Sequence, residues 1–229
     1  MVNQPYLFPL INLLKQHGDA EKAEPMAKYM RNLFPFLGIK TPERKKLTRQ
    51  FVQEQGLPPL EELDGIIRQM WALPEREYQY AALDLLWRRR RDWEANIVTL
   101  IEHLIVTKSW WDTVDALASH EVGEYHRRFP GQFGAWNGRF RQSDNIWLRR
   151  TAILFQLGYK DQTDQGLLFA TIKENLGSTE FFINKAIGWA LREHSKREET
   201  AVVTFVHQTD LSPLSQREAL KWLKAQGRI

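Results

Sequence analysis

The chain has 229 residues, 43% of them apolar, so it is long enough to bury a substantial hydrophobic core. It has no cysteine, which excludes disulfide bonds, thiol catalysis, cysteine-ligated zinc and iron–sulfur clusters. The net charge of +4 is only mildly basic, and it permits an anionic partner such as nucleic acid without requiring one.

Neither a secretory signal nor a membrane-spanning segment is recognisable. The short apolar run near the amino terminus lacks a basic flank, and no apolar run reaches the roughly 18 residues of a membrane helix. We therefore expect a cytoplasmic protein with no membrane partner, and we expect neither a metal nor another cofactor.

In chain order, helical patterns follow one another with short connections. Apolar residues recur at the spacing of a helix face, the Thr-Pro pair at 41–42 is a typical helix start, and Gly56 is a typical helix end. The predicted helices include residues 21–33, 41–56, 60–70, 74–86, 97–106 and 165–176. Strand-like alternation never extends beyond a few residues, so the predicted fold class is all-α.

Candidate helix starts recur at a regular interval. Successive starts are 33 to 37 residues apart, at Thr41, Pro74, Ser109, Ser143, Ser178 and Ser212 or Ser215. Each interval has room for a second helix, and a repeated two-helix unit of this length is typical of an α-solenoid, in which every second helix lines one concave surface. We expect about six helix pairs in a single repeat domain over residues 1–229.

The segment from Ser109 to Asp115 holds a candidate site at the start of one such helix. Ser109 is predicted as the N-cap, with Asp112 returning a hydrogen bond to its amide. Trp111 and Asp115 are four residues apart and therefore share a helix face. Two interpretations remain open from the spacing: Trp111 packs while Asp115 is a solvated charge, or the two form a functional pair.

The next two repeats place basic residues at the same depth. Arg150 interrupts an otherwise apolar helix face, a position that suits a guanidinium facing an anion in a groove. Further on, one helix face carries basic groups around a tryptophan, as a nucleic-acid backbone and a base or sugar would require. These residues are Lys185, Trp189, Arg192 and Lys196. The alternative, equally open, is that Arg150 extends to water and Trp189 belongs to the core.

Other chemistries have little support. The six histidines show no metal-ligand spacing, and the chain has no nucleophile-elbow, phosphate-loop or dinucleotide-binding motif. The strongest charge cluster, Arg88 to Arg91, is consistent with a favourable helix end or with phosphate binding, and its role stays open.

Six segments of the chain closely resemble the AlkD-type DNA alkylation repair glycosylases, in the same order and at the same spacing. They are FLGIKTPER at 36–44, LPERE at 73–77, VTKSWWD at 106–112 with Asp115, SDNIWLRR at 143–150, FFI at 181–183 with AIGW at 186–189, and LSQREA at 214–219. The resemblance implies a right-handed α-solenoid of HEAT-like repeats with a concave DNA-binding face. It also implies monofunctional excision of N3- and N7-alkylated purines from duplex DNA.

The resemblance also implies roles for five residues. By position, Asp115 matches the catalytic aspartate, while Trp111 and Trp189 match the tryptophans that cradle the lesion nucleotide. Arg150 matches an arginine beside the DNA backbone, and Tyr29 an aromatic that reaches the DNA from the amino-terminal repeats. Lys185 and Arg192 are added as DNA-binding residues from their place on the basic face.

The implied chemistry needs few groups. A purine alkylated at N3 or N7 is cationic and already a good leaving group, so an ionised Asp115 need only stabilise the charge that develops on the deoxyribose and place a water. The resemblance implies that this happens without flipping the base into a pocket. We expect a monomer acting on DNA in the cytoplasm or nucleoid. The alternatives are a non-catalytic DNA-binding relative and a protein-binding helical scaffold.

Overall fold

The computed structural model describes residues 5–229, and within that range every regular element is helical. The all-α prediction is therefore confirmed. The helices are α1 Leu7–Gln16, α2 Ala20–Tyr29, α3 Thr41–Gln55, α4 Leu63–Ala72, α5 Arg76–Arg88, α6 Ile97–Val106, α7 Trp111–Ala116, α8 Gly123–Arg128, α9 Pro130–Arg141, α10 Ile146–Leu154, α11 Gln165–Lys173, α12 Phe181–Ser195, α13 Glu199–Gln208 and α14 Pro213–Ala225. None of the helices in the described range is both long and apolar enough to span a bilayer.

The helix starts are more regular than the sequence pattern suggests. Helices α3, α5, α7, α10 and α12 begin at Thr41, Arg76, Trp111, Ile146 and Phe181, each 35 residues after the previous one. Residues at equal positions in successive helices are therefore 35 apart. This constant interval is consistent with helical repeats.

Two compact units make up the chain, one ending at Leu100 and the other comprising Ile101–Ile229. In the first unit, α4 buries residues at the i, i+3, i+4, i+7 spacing of an amphipathic helix, Leu63, Ile66, Ile67 and Met70. A partly buried ion pair joins α3 to α5 in the same unit, with Arg44 Nη1 2.7 Å from Asp84 Oδ2.

In the second unit, a long helix runs from Trp111 to Arg128 and changes its winding halfway. Helix α7 passes into a π-helical segment, Leu117–Val122, and then into α8. Near Gly123 the helix approaches the end of α10 so closely that a Cβ atom there would lie 2.9 Å from the carbonyl oxygen of Phe155. The Tyr159 hydroxyl also donates to the Gly123 carbonyl at 2.6 Å. These contacts hold the start of α8, which continues the helix begun by α7, against the end of α10, and the candidate site lies on α7 and α10.

Several helix boundaries differ from the predicted ones because serine hydroxyls bond within the connecting turns. The Ser109 hydroxyl donates to the Ile105 carbonyl at 2.6 Å, at the end of α6, and the N-cap of α7 is Trp110. The prediction that Ser109 caps this helix is therefore wrong. Ser143 and Ser178 likewise lie two residues before the actual N-caps, Asn145 and Glu180.

Of the other predicted boundaries, those at Ser212 and at residues 97–106 agree with the structure, and the end of the helix predicted over 21–33 does not. Ser212 is the N-cap of α14 as predicted, because its hydroxyl oxygen accepts from the Ser215 amide. The helix predicted over 21–33 ends early at Tyr29, since Arg31 and Asn32 both take a φ of 56°. The segment 97–106 matches α6.

Candidate active site

Asp115 and Arg150 form the central contact of the candidate site. They are the fifth residues of α7 and α10, so the 35-residue register places them on neighbouring helices at one depth. Arg150 Nε donates to Asp115 Oδ1 at 2.7 Å, and Arg150 Nη2 donates to Oδ2 at 2.9 Å. This two-point contact fixes the plane of the carboxylate as well as its position.

Both partners of this pair are largely shielded from water, the carboxylate less so. The Arg150 side chain is 5% exposed and that of Asp115 is 15% exposed. Burial raises the pKa of the Asp115 carboxyl, the hydrogen bonds and charge of Arg150 oppose that rise, and the neighbouring Asp112 carboxylate adds to it. The carboxylate is therefore shielded but remains in contact with solvent.

A third contact secures Arg150 from the next repeat. Its Nη1 donates to the carbonyl oxygen of Phe182 in the first turn of α12. The Phe182 ring packs against Trp110 and Trp147, with ring centroids 5.0 Å apart in each case. An aromatic cluster at the starts of α7, α10 and α12 thus supports the ion pair from one side.

The two tryptophans proposed for the lesion lie on α7 and α12. Trp111 begins α7, one turn before Asp115, and is partly exposed. Trp189 lies just over two turns after Phe181, is also partly exposed, and packs against the core of the second unit. Trp189 is therefore neither a wholly buried core residue nor a fully exposed one.

An acidic residue of α14 lies against the basic face of α12, and the sequence pattern did not reveal this contact. The Glu218 carboxylate of α14 forms two ion pairs, with Oε1 2.9 Å from Lys185 Nζ and Oε2 2.8 Å from Arg192 Nη1. Lys196, one turn further along, is paired with Glu193 at 2.7 Å. The three basic groups flanking Trp189 are thus each held by a carboxylate.

No group of three or more histidine, aspartate or glutamate side chains able to hold a metal ion occurs among residues 5–229. The chemistry available at this site is that of a fixed carboxylate, a guanidinium, indole rings and ordered cations.

Comparison with known proteins identifies the family. The model of the DNA alkylation repair enzyme family matches residues 10–223. The chain belongs to this family. A solved structure described as a predicted DNA alkylation repair enzyme from Enterococcus faecalis is similar to it, with 36% sequence identity and a TM-score of 0.84, over 90% of this chain and 96% of that one. A search of the curated proteins finds no match.

For a DNA alkylation repair enzyme, the first unit contributes one candidate residue of interest. Tyr29, the last residue of α2, is 71% exposed, so its ring is accessible to a partner. In the same unit, two residues of the arginine cluster 88–91 make contacts beyond the end of α5. Arg89 Nε donates to the Pro58 carbonyl at 2.9 Å, and the Arg90 guanidinium lies 4.6 Å from the Trp87 ring centroid.

Sequence reasoning missed two partners in this enzyme. The sequence pattern predicts an anion in a groove beside Arg150, whereas the anion beside Arg150 in the structure is Asp115, 35 residues earlier. It did not single out Glu218, which lies 33 residues after Lys185. The signal that could have found both is the repeat length, since opposite charges about one repeat apart lie on neighbouring helices. The contact of Arg150 with the DNA backbone stays a prediction.

Proposed function

We propose that this DNA alkylation repair enzyme is a monofunctional DNA glycosylase that hydrolyses the N-glycosidic bond of cationic N3- and N7-alkylated purines in duplex DNA. The observation that supports this most directly is the Asp115 carboxylate, which is held by two hydrogen bonds from Arg150 and belongs to a side chain that is still 15% exposed. A fixed, accessible negative charge is the one group that this reaction needs from the protein.

The reaction begins from a base that already carries a positive charge. As the bond from the anomeric carbon to the purine nitrogen breaks, its electron pair leaves with the base, which departs neutral, and positive charge develops on the deoxyribose. Asp115 stabilises that charge more strongly in the transition state than in the ground state. A water held by the carboxylate then adds to the anomeric carbon, and its proton passes to Asp115 or to solvent. A neutral purine leaves too slowly for this stabilisation to suffice, which provides the selectivity.

Arg150 keeps the carboxylate ready for this role. Burial alone favours the protonated carboxyl, whereas hydrogen bonds from a guanidinium favour the ionised form that the reaction uses. Each carboxylate oxygen accepts one hydrogen bond from Arg150, which leaves each with further lone-pair capacity for water.

The indole rings of Trp111 and Trp189 add to this stabilisation. A cation over an indole face gains about 0.5 to 2 kcal/mol, and both tryptophans are partly exposed. Because recognition uses the sugar and the charge, we propose that the base is not flipped into a pocket and that bulky adducts are accepted.

The decisive experiment measures release of N7-methylguanine from a methylated duplex, with undamaged duplex as control and with a chelator present. We expect base release and no strand cleavage. Binding to DNA without release would favour the non-catalytic DNA-binding alternative, and neither binding nor release would favour a protein-binding scaffold.

A further inference from the structure

Glu218 joins two cations that lie on either side of Trp189. Along α12, Lys185 is four residues before Trp189 and Arg192 three residues after it. The two oxygens of Glu218 are divided between them, Oε1 2.9 Å from Lys185 Nζ and Oε2 2.8 Å from Arg192 Nη1. One carboxylate therefore sets the separation of two long, otherwise flexible side chains.

The position of Glu218 is fixed by the packing of α14 on α12. A Cβ atom on Gly188 would lie 2.5 Å from the Glu218 Cβ and 2.9 Å from the Ser215 carbonyl oxygen, so the two backbones are nearly in contact. The Ser215 hydroxyl also donates to the Asn184 carbonyl at 2.9 Å. With its side chain only 12% exposed, Glu218 has little freedom to move away from its partners.

The cations held in this way keep most of their donors. Lys185 uses one of the three N–H groups of its ammonium on Glu218, and Arg192 one of the five of its guanidinium. Hydrogen bonds from Lys185 and Arg192 hold the pKa of Glu218 below its ordinary value, so the carboxylate stays ionised. The cluster has a net charge of +1 and its donors are already ordered.

We propose that Glu218 is a positioning residue that joins Lys185 and Arg192 into one composite site for a single DNA backbone phosphate beside Trp189. This inference rests on the proposed function only in taking DNA as the ligand. Ordering two long side chains before DNA arrives removes an entropic cost that binding would otherwise carry. Glu218 thus strengthens binding of an anion although it is itself an anion.

Because an anionic residue is proposed to strengthen the binding of anionic DNA, the proposal predicts the opposite effect on affinity from that expected for charge alone. The test uses undamaged duplex DNA and does not depend on base release. Charge alone predicts that Glu218→Gln and Glu193→Gln strengthen DNA binding equally, because each removes one negative charge. Glu193 is the matched control, since it lies on α12 and, among residues 5–229, its carboxylate pairs with the single cation Lys196. We expect Glu193→Gln to bind at least as tightly as wild type and Glu218→Gln to bind about fivefold more weakly than Glu193→Gln in a salt titration by fluorescence anisotropy. Equal or tighter binding by Glu218→Gln would overturn the proposal.

A second variant keeps the proposal testable if Glu218→Gln does not fold, and a triple variant tests whether Glu218 acts through the two cations. Glu218→Asp preserves the net charge but is one methylene shorter, so it cannot reach both cations; weaker binding than wild type is expected, and unchanged affinity would contradict the proposal. In a Lys185→Met/Arg192→Gln background, Glu218→Gln and Glu193→Gln should bind alike, and a persisting difference would show that Glu218 acts by another route. If wild type releases no alkylated base while these affinity contrasts hold, only the glycosylase proposal fails.

Discussion

Replacing Arg150 by methionine tests how the site keeps its carboxylate charged. The substitution retains an apolar side chain of similar length and removes the three hydrogen bonds to Asp115 and Phe182. Asp115 then loses the two hydrogen bonds and the positive charge that oppose the effect of its burial. Its pKa, already raised by burial, must rise further because the opposing contribution of Arg150 is gone.

The expected loss of stability depends on pH in a defined direction. Removing one partner of a buried ion pair costs about 3 to 5 kcal/mol, and the residual exposure of Asp115 places this case near about 3 kcal/mol. A carboxyl whose pKa is higher in the folded than in the unfolded state favours folding as pH falls. The deficit of Arg150→Met relative to wild type should therefore be full at alkaline pH, shrink as pH falls through the folded-state pKa of Asp115 in the variant, and level off once Asp115 is protonated in folded wild type as well.

The assay pairs thermal unfolding with single-turnover release of N7-methylguanine across a pH series. Release requires ionised Asp115, so in wild type it should fall in acid with a midpoint above the ordinary aspartate pKa, and in Arg150→Met that midpoint should move upward. Arg44→Met is the matched control, because Arg44 is 5% exposed, pairs with Asp84 at 2.7 Å, and lies in the other unit. It should lose stability without moving the midpoint. An unchanged midpoint in Arg150→Met would refute the role assigned to this pair.

Two further predictions concern the helix that carries Trp189. Trp189→Ala should weaken capture of alkylated duplex by about 2- to 30-fold, the range of one cation–π contact, and unchanged affinity in a salt titration would remove Trp189 from the interface. Gly188→Ala should destabilise the fold by about 1 to 3 kcal/mol in thermal unfolding, because its Cβ would lie 2.5 Å from that of Glu218. Gly138→Ala in α9 meets no atom within 4 Å and should instead stabilise by about 0.5 to 1 kcal/mol, and equal effects of the two substitutions would contradict the close approach of α12 and α14.

The all-helical fold was predictable because its signals are local. Apolar spacing and the Thr-Pro and Gly punctuation depend only on neighbouring residues, and the second helix expected at residues 97–106 coincides with α6. Helix caps were less predictable. Ser143 and Asn145 are both good caps, and only the fold determines which of them begins α10.

The contacts within the candidate site depend on helix packing and were harder to predict. Spacing marked Asp115 and Arg150 as candidates but did not pair them, because their bond joins residues 35 apart on two helices. The measured interval of 35 residues between helix starts makes that pairing understandable. The repeat length also places Glu218 near Lys185, 33 residues earlier, but without that register Glu218 has the sequence pattern of an ordinary surface acid.

The central claim is that the negative charge of Asp115 drives departure of the base, and Asp115→Asn tests it most directly. Asparagine keeps the shape of the side chain and removes the charge. The measurement is single-turnover release of N7-methylguanine, with affinity for the same duplex determined in parallel. We expect release to fall by about 100-fold or more, the scale of one preorganised electrostatic group, while DNA binding persists. Equal release rates for Asp115→Asn and wild type would contradict the account.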